Sequence, residues 1–112
     1  MEARVYYWKD IKYLTALSFA DTEDETVAAL PTRQQFDGDY ALVATVQCNC
    51  EKTPLELADM TWQLMNLEPQ KHFRDAAYSE GVRHTSMSVA DMVIIGEVAL
   101  IAMPIGFRQV RL

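Results

Sequence analysis

The sequence predicts an α+β domain: a small, mainly antiparallel twisted sheet, partly barrel-like, with one long helix packed across it. Three observations carry that expectation. Runs rich in β-forming side chains stand at the start, middle and end of the chain: ARVYYW (3–8), YALVATVQC (40–48), MVII (92–95) and VALIAM (98–103). One strongly signalled helix, TPLELADMTWQLMN (53–66), interrupts them. Gly96 and Glu97 form a two-residue hairpin connection between the last two runs, and such short links join antiparallel strands.

The elements follow in order. ARVYYW is the first strand. KYLTALSFA leaves strand and helix open, because its apolar spacing fits neither period cleanly. Asp21 or Thr22 caps a short acidic helix, ETVAAL, whose opening carboxylates suit the positive end of the helix dipole, and Pro31 ends it. TRQQFDGDY, polar and containing Asp-Gly, reads as a loop. YALVATVQC is a strand buried on one or both faces.

The 53–66 helix has Thr53 as N-cap, Pro54 at the first helical position and Glu56 as capping-box partner. Leu57, Met60, Thr61, Leu64 and Met65 fall on one face, Asn66 can close the helix, and Pro69 prevents its continuation. Residues 70–83 read as a short helical turn and a surface loop. In the last quarter, Ser88 and Asp91 have capping-box spacing just before MVII. The Ser88 hydroxyl is expected to accept from the Asp91 N–H while the carboxylate reaches back to the Ser88 N–H. Pro104 bends the chain, Gly106 permits a close turn, and Phe107 and Val110 bury. No repeat, linker or low-complexity tract divides the chain, so residues 1–112 form a single domain.

Composition excludes several classes of function. Half of the 112 residues are apolar and 23% are charged, as in an ordinary globular domain. No apolar run approaches the ~20 residues that span a bilayer, and MEARVYYWKD is not a signal peptide, so a cytoplasmic, non-membrane protein is expected. Cys48 and Cys50 form a C-x-C pair that only His72 and His84 could complete as a metal site, at no familiar spacing. Reduced thiols, no metal and no catalytic cofactor are the expectation.

A net charge of −6 and a pI near 4.7 argue against a phosphate-binding surface, the ten Lys and Arg being scattered along the chain. The acidic residues cluster in DTEDE (21–25) and FDGDY (36–40). Such runs are commonly solvated helix starts. Alternatively they form a face that docks on a basic partner, with Asp21, Glu23, Asp24, Glu25, Asp37 and Asp39 as candidate partner-binding residues.

The residues R-x-T-S-x-S-V-x-D (83–91), followed by apolar strand, glycine, apolar strand and Gly-Phe, resemble the C-terminal part of YodL-like domains. These are accessory modules of bacterial phages, plasmids and integrative elements. Tyr40, Leu42, Val43 and Ala44, then Leu55 to Asn66, extend the resemblance over about residues 39–112. Ala90 stands where a small residue, often glycine, precedes the aspartate. The resemblance implies a mobile-element origin and supplies no catalytic residues.

Three functions of different class follow. The first is a non-catalytic protein-binding accessory module, such as an acidic inhibitor of a host-defence protein (anti-CRISPR or antirestriction type) that covers a basic nucleic-acid-binding surface. The second is a nucleic-acid-binding module using the sheet surface and Tyr6, Tyr7 and Trp8, against which the net negative charge weighs. The third is a hydrolase built on His84, Ser86, Ser88 and Asp91. No G-x-S-x-G elbow and no phosphate loop is present, and the turn already explains Ser88 and Asp91, so no enzyme is expected.

Overall fold

A computed structural model describes residues 1–49, 51–67 and 81–112. Along the chain come β1 (Glu2–Trp8), α1 (Lys12–Ser18), α2 (Glu23–Ala29), α3 (Arg33–Asp39), β2 (Tyr40–Gln47), α4 (Pro54–Asn66), β3 (Met92–Ile95), β4 (Val98–Ala102) and β5 (Phe107–Val110). The strands make one sheet in the order β2-β1-β3-β4-β5, with every neighbouring pair antiparallel. This is the expected α+β class. The sheet does not close, and β2 and β5 are its two edges.

The N-terminal strand occupies an inner position because both of its faces can be buried. Ala3, Val5 and Tyr7 are each fully buried on the face that α4 covers, with Leu57, Ala58 and Met65 against them. Trp8 belongs to the opposite face, where Tyr13, Leu17, Phe36 and Tyr40 meet Met92 and Ile101. One helix therefore packs on one face of the sheet and three short helices on the other.

A β-bulge reconciles β2 with this arrangement. Val5 pairs with Ala44 and Tyr6 with Leu42, so Val43 is the extra residue. Since side chains alternate along a strand, one inserted residue reverses the phase. Ala41 before it, Val43 in it, and Ala44 and Val46 after it thus all reach the α4-side core. The imperfect alternation of YALVATVQC is the trace of that bulge.

Helix α4 is built as its caps indicate. Thr53 Oγ1 accepts from the Glu56 N–H at 3.2 Å, and Glu56 Oε1 accepts from the Thr53 N–H at 3.0 Å. Of the expected stripe, Leu57, Thr61 and Met65 are buried, and Met60 and Leu64 pack at its margin. The ambiguous KYLTALS segment is helical, since Tyr13 and Leu17, one turn apart, both bury. Thr22 caps α2 through the Glu25 N–H.

Residues 33–39 depart from the expected loop and form α3. Thr32 and Gln35 make a full capping box, and Phe36 buries against Tyr6 (4.8 Å) and Tyr40 (5.4 Å). The cap and this aromatic anchor outweigh the roughly 1 kcal/mol that Gly38 takes from a helix. At the β3–β4 hairpin, Ile95 faces Val98 and Gly96 adopts φ +61°, the positive φ that a glycine-first two-residue turn requires. Cys48 is disulfide-bonded, which corrects the reading of reduced thiols at that position. Cys50, His72 and the helical turn expected within 70–80 lie outside the described residues.

Neighbouring positions on α4 give a direct check of this packing, because Leu57 is fully buried and Leu55 is 49% exposed. Leu57→Ala should destabilise by about 2–5 kcal/mol, whereas Leu55→Ala should stay within about 1 kcal/mol of wild type in urea unfolding.

Candidate functional site

The polar residues that invite a catalytic reading converge at one place, where the segment before β3 crosses the end of β1. Asp91 is fully buried. Its carboxylate accepts from the Trp8 N–H at 3.0 Å and the Ser88 N–H at 2.7 Å, and its two oxygens lie 2.9 and 2.8 Å from His84 Nε2. The His84 ring is stacked on Tyr7 (centroids 4.5 Å apart) and on Trp8 (3.9 Å). Among the described residues His84 Nδ1 is buried without a partner, so the tautomer that fits carries its hydrogen on Nε2, directed at the carboxylate.

Side chains from the sheet hold the same segment from outside. Tyr7 OH donates to the Thr85 carbonyl at 3.1 Å, Trp8 Nε1 to the Val89 carbonyl at 2.9 Å, and Tyr40 OH to the Ala90 carbonyl at 2.7 Å. Ala90 itself has φ +76°, a conformation in which a non-glycine residue costs roughly 1–2 kcal/mol. It is pinned there by its N–H to the Ala102 carbonyl, while the Ala102 N–H returns to the Asp91 carbonyl, both at 2.8 Å.

The Ser-x-x-Asp expectation is half met. The carboxylate does reach back to the Ser88 N–H. The Asp91 N–H, however, goes to the Ser88 carbonyl at 3.0 Å, and Ser88 Oγ points away to the Ser86 carbonyl at 3.3 Å. Neither serine hydroxyl is bonded to His84 among the described residues, so the group lacks a nucleophile–base pair. What it does chemically is hold a carboxyl in an apolar setting. Burial pushes Asp91 up to about 6, against the opposing pull of His84 and the Ser88 and Trp8 N–H groups. Burial likewise raises the Tyr7 and Tyr40 phenols, with the Asp91 charge adding to it.

The six acidic candidates share the helical side of the sheet but not one role. Glu23 is held by Arg108 of β5, with Arg108 Nη1 3.0 Å from Glu23 Oε2 and Nη2 on the other oxygen, and this contact holds Glu23 below the usual carboxylate range. Asp37 pairs with Arg33 at 3.2 Å one turn earlier on α3. Asp39 accepts from Tyr13 OH and lies 3.8 Å from Lys12 Nζ. Glu25 reaches back to the Asp21 N–H and the Thr22 hydroxyl, both at 3.4 Å. Asp21 and Asp24 meet no cation among the described residues.

Arginines that are far apart in the chain do come together, which corrects the picture of scattered basic residues. A cleft of about 530 Å³ is lined by Arg4 and Tyr6 of β1, Arg33 and Phe36 of α3, and Gln109 and Arg111 at the C-terminal end. Sequence reasoning missed it because the three arginines are brought together only by strand order and by α3, the helix read as a loop. Among the described residues no group of three or more His, Cys, Asp or Glu side chains is arranged to hold a metal ion, and no helix is long and apolar enough to cross a membrane.

Compared with known proteins, the chain matches no protein-family model, no curated protein and no solved structure.

Two outcomes check the geometry around Asp91. A carboxyl whose folded pKa lies above its unfolded value binds its proton more tightly when folded. Its contribution to stability is therefore fully present below the ordinary value of 3.8 and is lost as pH rises through about 6. Between about pH 4 and pH 6.5, wild-type unfolding free energy should fall more steeply with pH than that of Asp91→Asn, by up to ~1.4 kcal/mol per pH unit. At position 90, glycine relieves the positive φ but removes a buried methyl, so Ala90→Gly should lie within about 1 kcal/mol of wild type. A β-branched side chain gains neither benefit, and Ala90→Val should destabilise by more than about 2 kcal/mol in the same unfolding assay.

Proposed function

We propose that the protein is a non-catalytic binding module that docks a basic protein partner on the α1–α2 side of its helical layer. One observation carries this reading: α2 buries none of its residues. A seven-residue helix is marginal in water unless a face of it is packed. Here the Thr22 cap holds the first turn of α2, the Arg108–Glu23 ion pair ties it to β5, and Ala29 packs partly against the core, while the rest of its surface stays open. Beside it, Phe19 is 77% exposed at a shallow recess lined also by Ala16, Ala20, Ala28 and Ala29, and Val27 of α2 is 51% exposed. Glu25 lines that recess, and Asp21 and Asp24 are exposed close to it in the sequence. An apolar centre with an uncompensated acidic rim complements a partner with an apolar anchor among Lys and Arg.

Among the described residues neither Ser86 nor Ser88 bonds His84, which favours a binding role over hydrolysis. The resemblance of residues 39–112 to YodL-like domains is consistent with an accessory role on a mobile element, and inhibition of a host nucleic-acid-binding protein is a form of docking that this acidic face would serve. Glu23, Asp37 and Asp39 contribute less to such a face, since each is already engaged within the chain.

The test is affinity capture from a bacterial lysate, followed by titration of the purified captured protein. The captured protein should be basic at the contact, and its affinity should weaken with added salt. Asp24→Lys with Glu25→Lys, and separately Phe19→Ser, should each reduce affinity about tenfold or more with unchanged melting. Unchanged affinity in both variants would overturn the reading.

A further inference from the structure

The cleft described above contains a charged side chain with no internal reason to be there. Arg4 lies on β1, an inner strand, in a cross-strand row that runs Thr45, Arg4, Ile94, Ala99, Val110. The rest of that row from β3 to β5 is apolar. Arg4 is half-buried, and among the described residues it has no ion pair and no side-chain hydrogen bond. Its nitrogens are not among the buried unpaired atoms, and the side chain lines both this cleft and a second recess beside Glu2 and Pro54. A guanidinium held over a sheet face without a carboxylate is a preformed half of an anion contact.

We propose that this cleft binds a phosphorylated small molecule of mononucleotide size. The local charge fits a phosphate monoester. Arg33 is balanced by Asp37, and Arg4 and Arg111 outnumber Glu97, the acidic side chain lining the same cleft, so the lining side chains carry a net positive charge. The remainder of the cleft fits a planar group: Tyr6 and Phe36, in edge-to-face contact at 4.8 Å, form its aromatic wall, and Gln109 offers a polar side chain for orientation. A volume of about 530 Å³ is in the range of small-molecule sites. Glu97, on the β3–β4 turn, lines the same cleft and opposes an anion. It therefore sets a brake on affinity that can be released without touching the fold.

This inference concerns residues apart from the α1–α2 surface, so either can fail alone. Adenosine monophosphate, adenosine and inorganic phosphate are titrated separately at low ionic strength, followed by NMR chemical shifts. Adenosine monophosphate should bind saturably with Kd below about 1 mM, and the Arg4, Tyr6, Phe36 and Arg111 signals should shift. Arg4→Gln should weaken it about tenfold or more, as should the exposed substitution Arg111→Gln, which bypasses any folding defect at the inner strand. Glu97→Gln should tighten it about twofold or more by removing a like charge. Absence of saturable binding would overturn the proposal, as would unchanged affinity in Arg111→Gln. Adenosine binding as tightly as the monophosphate would overturn the role of the arginines, and inorganic phosphate binding as tightly would overturn the mononucleotide size.

Discussion

The Asp91 carboxylate is the constraint on which the remaining structure depends. It is fully buried, and it joins three parts of the chain: the backbone of Trp8 at the end of β1, the turn at Ser88, and the ring of His84. Removing a charge from water is unfavourable by several kcal/mol, and the three donors offset only part of that. Tyr7, Trp8 and Tyr40 then place hydroxyl and indole donors on the carbonyls of residues 85, 89 and 90. Strand β3 starts at the very next residue, so its register against β1 follows from where Asp91 is held.

That register decides what each face of the sheet can carry. With Val5 opposite Val93 and Arg4 opposite Ile94, β1 divides its side chains between two cores. Val5 and Tyr7 go to the α4 side, and Tyr6 and Trp8 to the side of the three short helices. These short helices bury mainly through aromatic rings, Tyr13 and Phe36 meeting Tyr40 at 5.4 Å each, and such rings supply much apolar area from few residues. The arginine cleft lies on this same face, beside Phe36 of α3.

Much of the fold was legible in local chemistry. Thr53, Pro54 and Glu56 signal α4 because an N-cap, a first-turn proline and a capping box all satisfy the same orphaned N–H groups. Gly96-Glu97 signals its hairpin because few residues accept the required φ. Helix α3 carried an equally good signal, Thr32 followed by Gln35, which the Asp-Gly pair at 37–38 overrode in the reading. The site residues were harder to read, for a physical reason. Ser88 and Asp91 are close in sequence, so their turn shows. The bonds from Asp91 to Trp8 and from Tyr40 to Ala90 span 83 and 50 residues, and the assembly of Arg4 with Arg33 and Arg111 depends on the strand order. No spacing rule reaches that far.

The central place of β1 also has a consequence for how the molecule is made. Within this sequence β1 and its partner β2 both precede β3, so this antiparallel pair can form before β3 is made. Its other edge faces β3, which begins at Met92. Until then Tyr7 and Trp8 have neither the His84 ring to stack on nor the carbonyls that they later bind. Contacts of such long sequence separation form slowly, and an unpaired strand edge with exposed aromatic rings is a target for wrong pairing. Until β3 is made, the inner strand β1 therefore keeps one edge uncovered, and pairing with β3 places that edge inside the sheet.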